Sequence, residues 1–263
     1  MDDSAAASEP NAGTRATGAV MRAIRIVGWT AIVSGLLILG FVAQQLFVTT
    51  WFAEQQQDAL AEEAQEHFAT TEVAEVAYVR PASQTTTEDG TVVDSPNGDG
   101  SQVSTPEGSE PRTLLVEEAA PEGEAFAVVR VPSIERLEEG WTVVEGVGVR
   151  DLKNGAGHMP TTPLPGLPGN SVISGHRTTY GAPFHEFDTL EVGDIIEVDT
   201  AIGTHTYGVR EVQIVRPTDV WVTDPREGSW LTLTTCHPKF SSRQRLIVFA
   251  ELVDGPNYEA IYA

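Results

Sequence analysis

Residues 230–238 read Trp230-Leu231-Thr232-Leu233-Thr234-Thr235-Cys236-His237-Pro238. Strand-forming residues run without a break up to a proline, which cannot donate to a sheet ladder and closes the run. Alternation puts Leu231, Leu233 and Thr235 on one face and Thr232, Thr234 and Cys236 on the other. With the leucines toward a core, the thiol points to the opposite face at the end of the strand. His237 then points away from the thiol while the strand persists. The adjacent Cys-His pair is therefore not expected to act as a dyad.

Working outward, similar short runs recur at 126–131, 141–144, 170–174, 194–198, 206–215 and 246–252, broken by Gly, Pro, Asn and Asp. Only 149–154 and 182–190 read as short helices or turns. Many short strands with Gly/Pro connections predict an all-β barrel or sandwich, and closing the sheet would remove its exposed edges. This domain is expected over 124–254, followed by a short tail, 255–263.

Residues 26–48 are apolar and uncharged, long enough for a helix to cross a bilayer. Arg15, Arg22 and Arg25 precede the segment, whereas Glu54, Asp58, Glu62, Glu63 and Glu66 follow it. This asymmetry predicts an uncleaved anchor with residues 1–25 as a cytoplasmic tail and the body outside the cell. Residues 49–80 are expected to be a juxtamembrane helix, with His67 solvated on its surface. Residues 81–123, rich in Pro, Gly, Ser, Thr and acids, are expected to be a flexible acidic linker holding the domain off the membrane, with 113–116 as a short ordered island. The net charge of −22 argues against nucleic acid as a partner.

Cys236 is the only cysteine of 263 residues. It has no partner within the chain for a disulfide, and an exported lone thiol is inert, paired with another molecule, or a nucleophile. A nucleophile needs an imidazole to handle protons and a cation or N–H donor for the oxyanion. His176 ends the apolar run Val172-Ile173-Ser174-Gly175 and opens a polar loop, a favoured place for functional residues. Arg243 and Arg245 follow Cys236 across an expected hairpin, and parity alone does not choose between them. His158 reads as a structural turn residue. His185 and His205 have no partners by spacing, and no metal-ligand spacing or cofactor motif is present.

Leu233-Thr234-Thr235-Cys236, an arginine opening the next strand and an upstream Gly175-His176 together resemble the sortase family. The likeness runs along 124–254, through Val144-Glu145-Gly146, the stretch Asp151–Thr162 and Pro165-Gly166-Leu167-Pro168-Gly169-Asn170. The form Thr234-Thr235-Cys236-His237-Pro238-Lys239 and the loop His176-Arg177-Thr178-Thr179-Tyr180-Gly181 are similar to the actinobacterial class E branch. The resemblance implies an eight-stranded β-barrel with short helices, preceded by one transmembrane helix. It implies Cys236 as nucleophile, His176 as acid/base and Arg245, rather than Arg243, as oxyanion or substrate clamp. It offers Thr235 for substrate. The implied reaction cleaves a sorting signal of the Leu-Ala-x-Thr-Gly or Leu-Pro-x-Thr-Gly kind between Thr and Gly. The secreted protein then passes through a thioacyl-enzyme to an amine of a peptidoglycan precursor. Two other readings share these residues: a thiol peptidase using water, and a membrane-displayed binding domain with an inert cysteine.

Overall fold

The computed structural model describes residues 12–44, 49–80 and 111–263. Its contacts divide the chain into two units, 1–49 and 50–263. The first holds α1 (Ala12–Ala43). Within it Met21–Ala43 has a mean hydropathy of 2.2 and none of it is buried. Among the described residues this is the one helix long and apolar enough to cross a membrane.

In the second unit α2 (Thr49–Thr70) leads into β1 (Val73–Tyr78), β2 (Arg112–Glu117) and β3 (Ala125–Arg130). Next come α3 (Glu135–Glu138), β4 (Trp141–Glu145), α4 (Asp151–Asn154), β5 (Ala156–His158) and β6 (Gly169–Ser174). The remainder is β7 (Ile195–Thr200), β8 (Gly203–Val215), β9 (Ser229–His237), β10 (Gln244–Asp254) and α5 (Tyr258–Tyr262). Eight strands close into a barrel in the order β10-β8-β7-β3-β4-β5-β6-β9.

The barrel follows from alternation. In β7, Ile196 and Val198 are fully buried while Glu197 and Asp199 turn outward, where both pair with Arg130 of β3. In β9, Leu231 and Leu233 join the same core as Val129, Val143, Ile173 and Val248. Seven barrel strands fall on expected runs; β5 does not. Its three residues, Ala156-Gly157-His158, are too short and too glycine-rich to carry a period. β5 pairs parallel with β4, aligning His158 with Glu145. A side chain at Gly157 would collide with the Gly146 carbonyl, so only glycine permits the approach.

Several expected boundaries move. Residues 112–117, placed in the expected linker, instead form β2, which pairs antiparallel with β1, and Leu114, Glu117 and Ala120 are buried. Residues 81–110 of that expectation, and 1–11 of the expected tail, lie outside the described residues. β1 and β2 form a two-stranded sheet of their own, and Asn257 anchors β2 to the C-terminal segment. Its amide donates to the Leu115 carbonyl (2.9 Å) and accepts from the Leu115 N–H (2.8 Å). The C-terminal segment is thus part of the fold, with Ile261 buried and the Tyr262 hydroxyl bonded to the Ser229 backbone. Residues 182–190 form turns and one 3-10 turn, Phe187–Thr189, in line with the short helices or turns expected there. His67 is half-buried rather than solvated, and burial lowers its pKa.

Candidate active site

Three adjacent strands, β6, β9 and β10, set the site. β6 and β9 run parallel with Gly169 level with Ser229 and Ser174 level with Thr234. That constant offset continues beyond β6, because the Gly175 N–H donates to the Thr234 carbonyl (3.0 Å). His176, which stands 60 positions before Cys236, therefore leaves β6 level with Cys236. On the other side β10 runs antiparallel, and Arg245 is the direct cross-strand partner of Cys236. Directly opposed residues point to the same face of a sheet. Register alone thus brings Cys236, His176 and Arg245 to one end of the barrel.

The local sequence fixes each position. A Cβ on Gly175 would lie 2.7 Å from the Phe184 ring, so glycine lets Phe184 close under the strand end. The Phe184 N–H then donates to the His176 carbonyl (3.2 Å). The His176 ring lies 5.0 Å from that of Tyr180, and the Lys153 ammonium sits 5.7 Å from the Tyr180 centroid. Burial first, and then the Lys153 charge, hold the His176 imidazole below its ordinary pKa. Cys236 is free and half-buried. Arg245 Nη1 donates to the carbonyls of Ser242 and Gln244, both at 3.0 Å. Arg243 stands outside β10, exposed, and does not pair across to Cys236.

Thr235 departs from the expectation. It is 2% exposed and faces inward, and its hydroxyl donates to the Gly175 carbonyl (2.8 Å). That bond ties the residue before Cys236 to the residue before His176. Its geometry suits alignment of the two strands rather than contact with a substrate. His237 occupies the opposite pleat from Cys236, and its Nδ1 accepts an N–H from Arg177 (2.7 Å).

Arg177 was not singled out by the sequence. It is 2% exposed and is the largest of the fully buried side chains. Its guanidinium donates to the Cys236 carbonyl (3.3 Å) and to His237 Nδ1, and pairs with Asp188 (2.8 Å). It also reaches the His185 carbonyl (3.4 Å), while the His185 ring donates back to the Arg177 carbonyl (2.7 Å). One side chain therefore joins the end of the thiol strand to the loop that begins at His176. Burial of an arginine is rare enough that no local pattern announces it.

The other histidines lie elsewhere in the fold. His158 is buried, with Nδ1 2.8 Å from a Glu145 carboxylate oxygen and Nε2 3.1 Å from both the Pro163 carbonyl and the Thr162 hydroxyl. The Thr162 hydroxyl also donates to the Met159 carbonyl (2.7 Å). His205 is fully buried beneath Gly166, and burial pushes its pKa down to about 4. Among the described residues no group of three or more His, Cys, Asp or Glu is placed to hold a metal ion.

The family profile described as Sortase domain matches residues 129–253, from β3 to β10. Sortase E from Streptomyces avermitilis, a solved structure, is 40% identical over 51% of this chain and 91% of its own, with a TM-score of 0.46. The chain belongs to the sortase family.

Among curated sortases, SrtE1 of Streptomyces coelicolor is 28% identical over 259 residues, 92% of this chain and 61% of its own length. A sortase C from Clostridium perfringens, solved with the C-terminal cell wall sorting motif, is 27% identical over 51% of this chain and 74% of its own, with a TM-score of 0.47. The chain spans 53–61% of the length of the curated sortases it matches.

Proposed function

We propose that this chain is a membrane-anchored cysteine transpeptidase acting on secreted proteins that carry a C-terminal sorting signal. The observation that carries the reading is the shared register of β6, β9 and β10, with His176, Cys236 and Arg245 at one end. Cys236 is the nucleophile, His176 the acid/base and Arg245 the group that holds the oxyanion.

The Cys236 thiolate attacks the threonine carbonyl carbon of a Leu-Ala-x-Thr-Gly or Leu-Pro-x-Thr-Gly signal. A C–S bond forms, and Arg245 stabilises the charge that develops on the carbonyl oxygen. Collapse breaks the Thr–Gly C–N bond as the His176 imidazolium gives its proton to the departing glycine amine. An amine, in the wall a group of a peptidoglycan precursor, then attacks the thioacyl carbon. His176 takes the proton of that amine, a new amide forms and the thiolate leaves. The lowered pKa of His176 makes its imidazolium a readier proton donor in the first half.

The apolar helix Met21–Ala43, with Arg15 before it, Arg22 and Arg25 in its first turns and acids after it, supports a single-pass anchor with the N-terminus in the cytoplasm and the catalytic unit outside. Anchoring on the same membrane as its substrates raises their effective concentration. The substrate class is supported by the clostridial relative solved with its sorting motif.

The test is product analysis by mass with a sorting peptide and an amine acceptor. A peptide joined to the amine is expected, with the Ala and Pro forms of the signal compared side by side. Hydrolysis alone, even at high amine concentration, would replace transfer by the peptidase reading.

A further inference from the structure

We propose that α2, the helix that follows the apolar segment, is a working part of the catalytic site, with Gln57 as a positioning residue for the His176 loop. The inference rests on the role given to His176 above.

Ala53, Gln57, Leu60 and Ala64 lie on one face of α2 by their spacing. Leu60 and Ala64 pack on Ala125 and Val144 of the barrel. Toward its N-terminal end the same face meets the supports of His176. The Gln57 amide accepts the Thr142 N–H of β4 (2.9 Å) and donates to the Asn154 carbonyl at the end of α4 (2.9 Å). Both amide functions are used, and the adjoining Gly155 has no side chain to displace them: a Cβ there would lie 3.2 Å from Gln57 Nε2.

Asn154 follows Lys153, whose ammonium caps the Tyr180 ring, and Tyr180 packs on His176. Tyr180, Gly181 and Ala182 carry φ values of 53°, 75° and 46°. Three successive left-handed residues, two with side chains, do not persist unless their surroundings hold them. The Arg136 guanidinium donates to the Gly181 carbonyl (2.9 Å). A Cβ on Gly181 would stand 2.5 Å from the Trp141 ring and 3.4 Å from the Ala53 methyl, so buried Ala53 of α2 lies directly beneath the turn. α2 therefore touches both supports of Tyr180: the turn through Ala53, and α4 through Gln57.

The experiment uses the full chain in detergent or vesicles, with transfer of a sorting peptide to an amine measured across pH. Gln57→Ala removes both bonds, and Gln57→Glu keeps the acceptor for Thr142 while losing the donor to Asn154. Leu60→Ala loosens α2 at a distance from the loop and serves as the purely structural control, with thermal unfolding recorded for each. The expected result is a tenfold or greater fall in kcat for both Gln57 variants with KM changed less than threefold. Their His176 inflection should move to higher pH, while Leu60→Ala keeps the inflection of the parent. Parental kcat and pH profile in either Gln57 variant, or the same kinetic change in Leu60→Ala, overturns the proposal. Cys236→Ala and His176→Ala, run alongside, separate that outcome from failure of the transpeptidase reading, which would show as activity retained in those two.

Discussion

Arg245 lies directly across the β9–β10 pair from Cys236, whereas Arg243 lies beyond the last residue pair of that ladder. The two share parity, so only register separates them. Removing one oxyanion donor typically costs about 10²–10³ in kcat. Arg245→Ala is expected to lose that much in steady-state transfer assays, and Arg243→Ala to stay within about fivefold of the parent, as expected for an exposed charge. Equal losses at the two positions would contradict the assignment.

Arg177 joins the Cys236 carbonyl, His237 and Asp188 through one buried guanidinium. A lysine carries the charge but lacks the planar fork that makes several bonds at once. Arg177→Lys, which keeps part of the bonding, should lower stability by roughly 2–4 kcal/mol, and Arg177→Met, which loses every bond, by at least as much, since bonds to a charged group contribute about 1.5–3 kcal/mol each. Urea unfolding measures this. His237→Ala, which removes one acceptor at the same guanidinium, should cost less than either. A cost in Arg177→Met below that of His237→Ala would show that the buried guanidinium does not hold the loop.

Lys153 is exposed and lies over the Tyr180 ring that packs on His176. Its charge is the second cause, after burial, of the lowered His176 pKa. Removing a nearby cation favours the imidazolium, so the His176 midpoint should rise in Lys153→Met. An NMR titration of the His176 ring reads this directly. Added salt should raise the midpoint in the parent more than in the variant, because the interaction is screened. An unmoved midpoint in Lys153→Met would contradict the geometry.

Glu117 and His205 predict opposing pH dependences of stability around one residue, Thr200. Burial pushes the Glu117 carboxyl up from 4.5 to about 7, and neither oxygen makes a well-formed hydrogen bond although Thr200 and the Ala201 and Ile202 amides lie near. A raised carboxyl stabilises the fold fully below its unfolded pKa, and that contribution is lost as pH rises from about 4.5 through 7. His205, bonded through Nε2 to the Thr200 hydroxyl (3.2 Å), is pushed down from 6.5 to about 4, so its contribution is lost as pH falls through that window. Each is of order 3 kcal/mol, and the two offset one another between pH 5 and 6.5. Glu117→Gln should therefore be more stable than the parent at pH 8 and should lose stability on acidification where the parent does not. Denaturant titrations at pH 5 and pH 8 decide it, and a variant with the pH dependence of the parent would contradict it.

The strands of the barrel were legible where alternation was long enough to see. β9 and β10 announced themselves through Leu231, Leu233 and the run from Leu246, and the lone cysteine pointed to the site. What stayed hidden had no periodic signal. β5 is three residues with a central glycine, and its place depends on Glu145 at the end of β4 and on Gly146 just beyond it. β1 and β2 read as the end of a helix and an island in a linker, because their pairing and the Asn257 clamp are long-range. Parity could place Cys236 on a face but could not show Thr235 committed to Gly175, or Arg177 buried beneath the strand end. Those are tertiary contacts, which a residue's neighbours in sequence do not encode. The resemblance supplied the choice of Arg245 before the register was visible.

The central claim is that Cys236 becomes acylated by the threonine carbonyl of a sorting signal. Intact-protein mass measurement after mixing with a sorting peptide, in the absence of amine acceptor, tests it directly. The account predicts an adduct equal to the peptide through its threonine, located on Cys236, released by added amine and absent in Cys236→Ala. Turnover without any adduct on Cys236 under rapid acid quench, or an adduct that persists in Cys236→Ala, would contradict it.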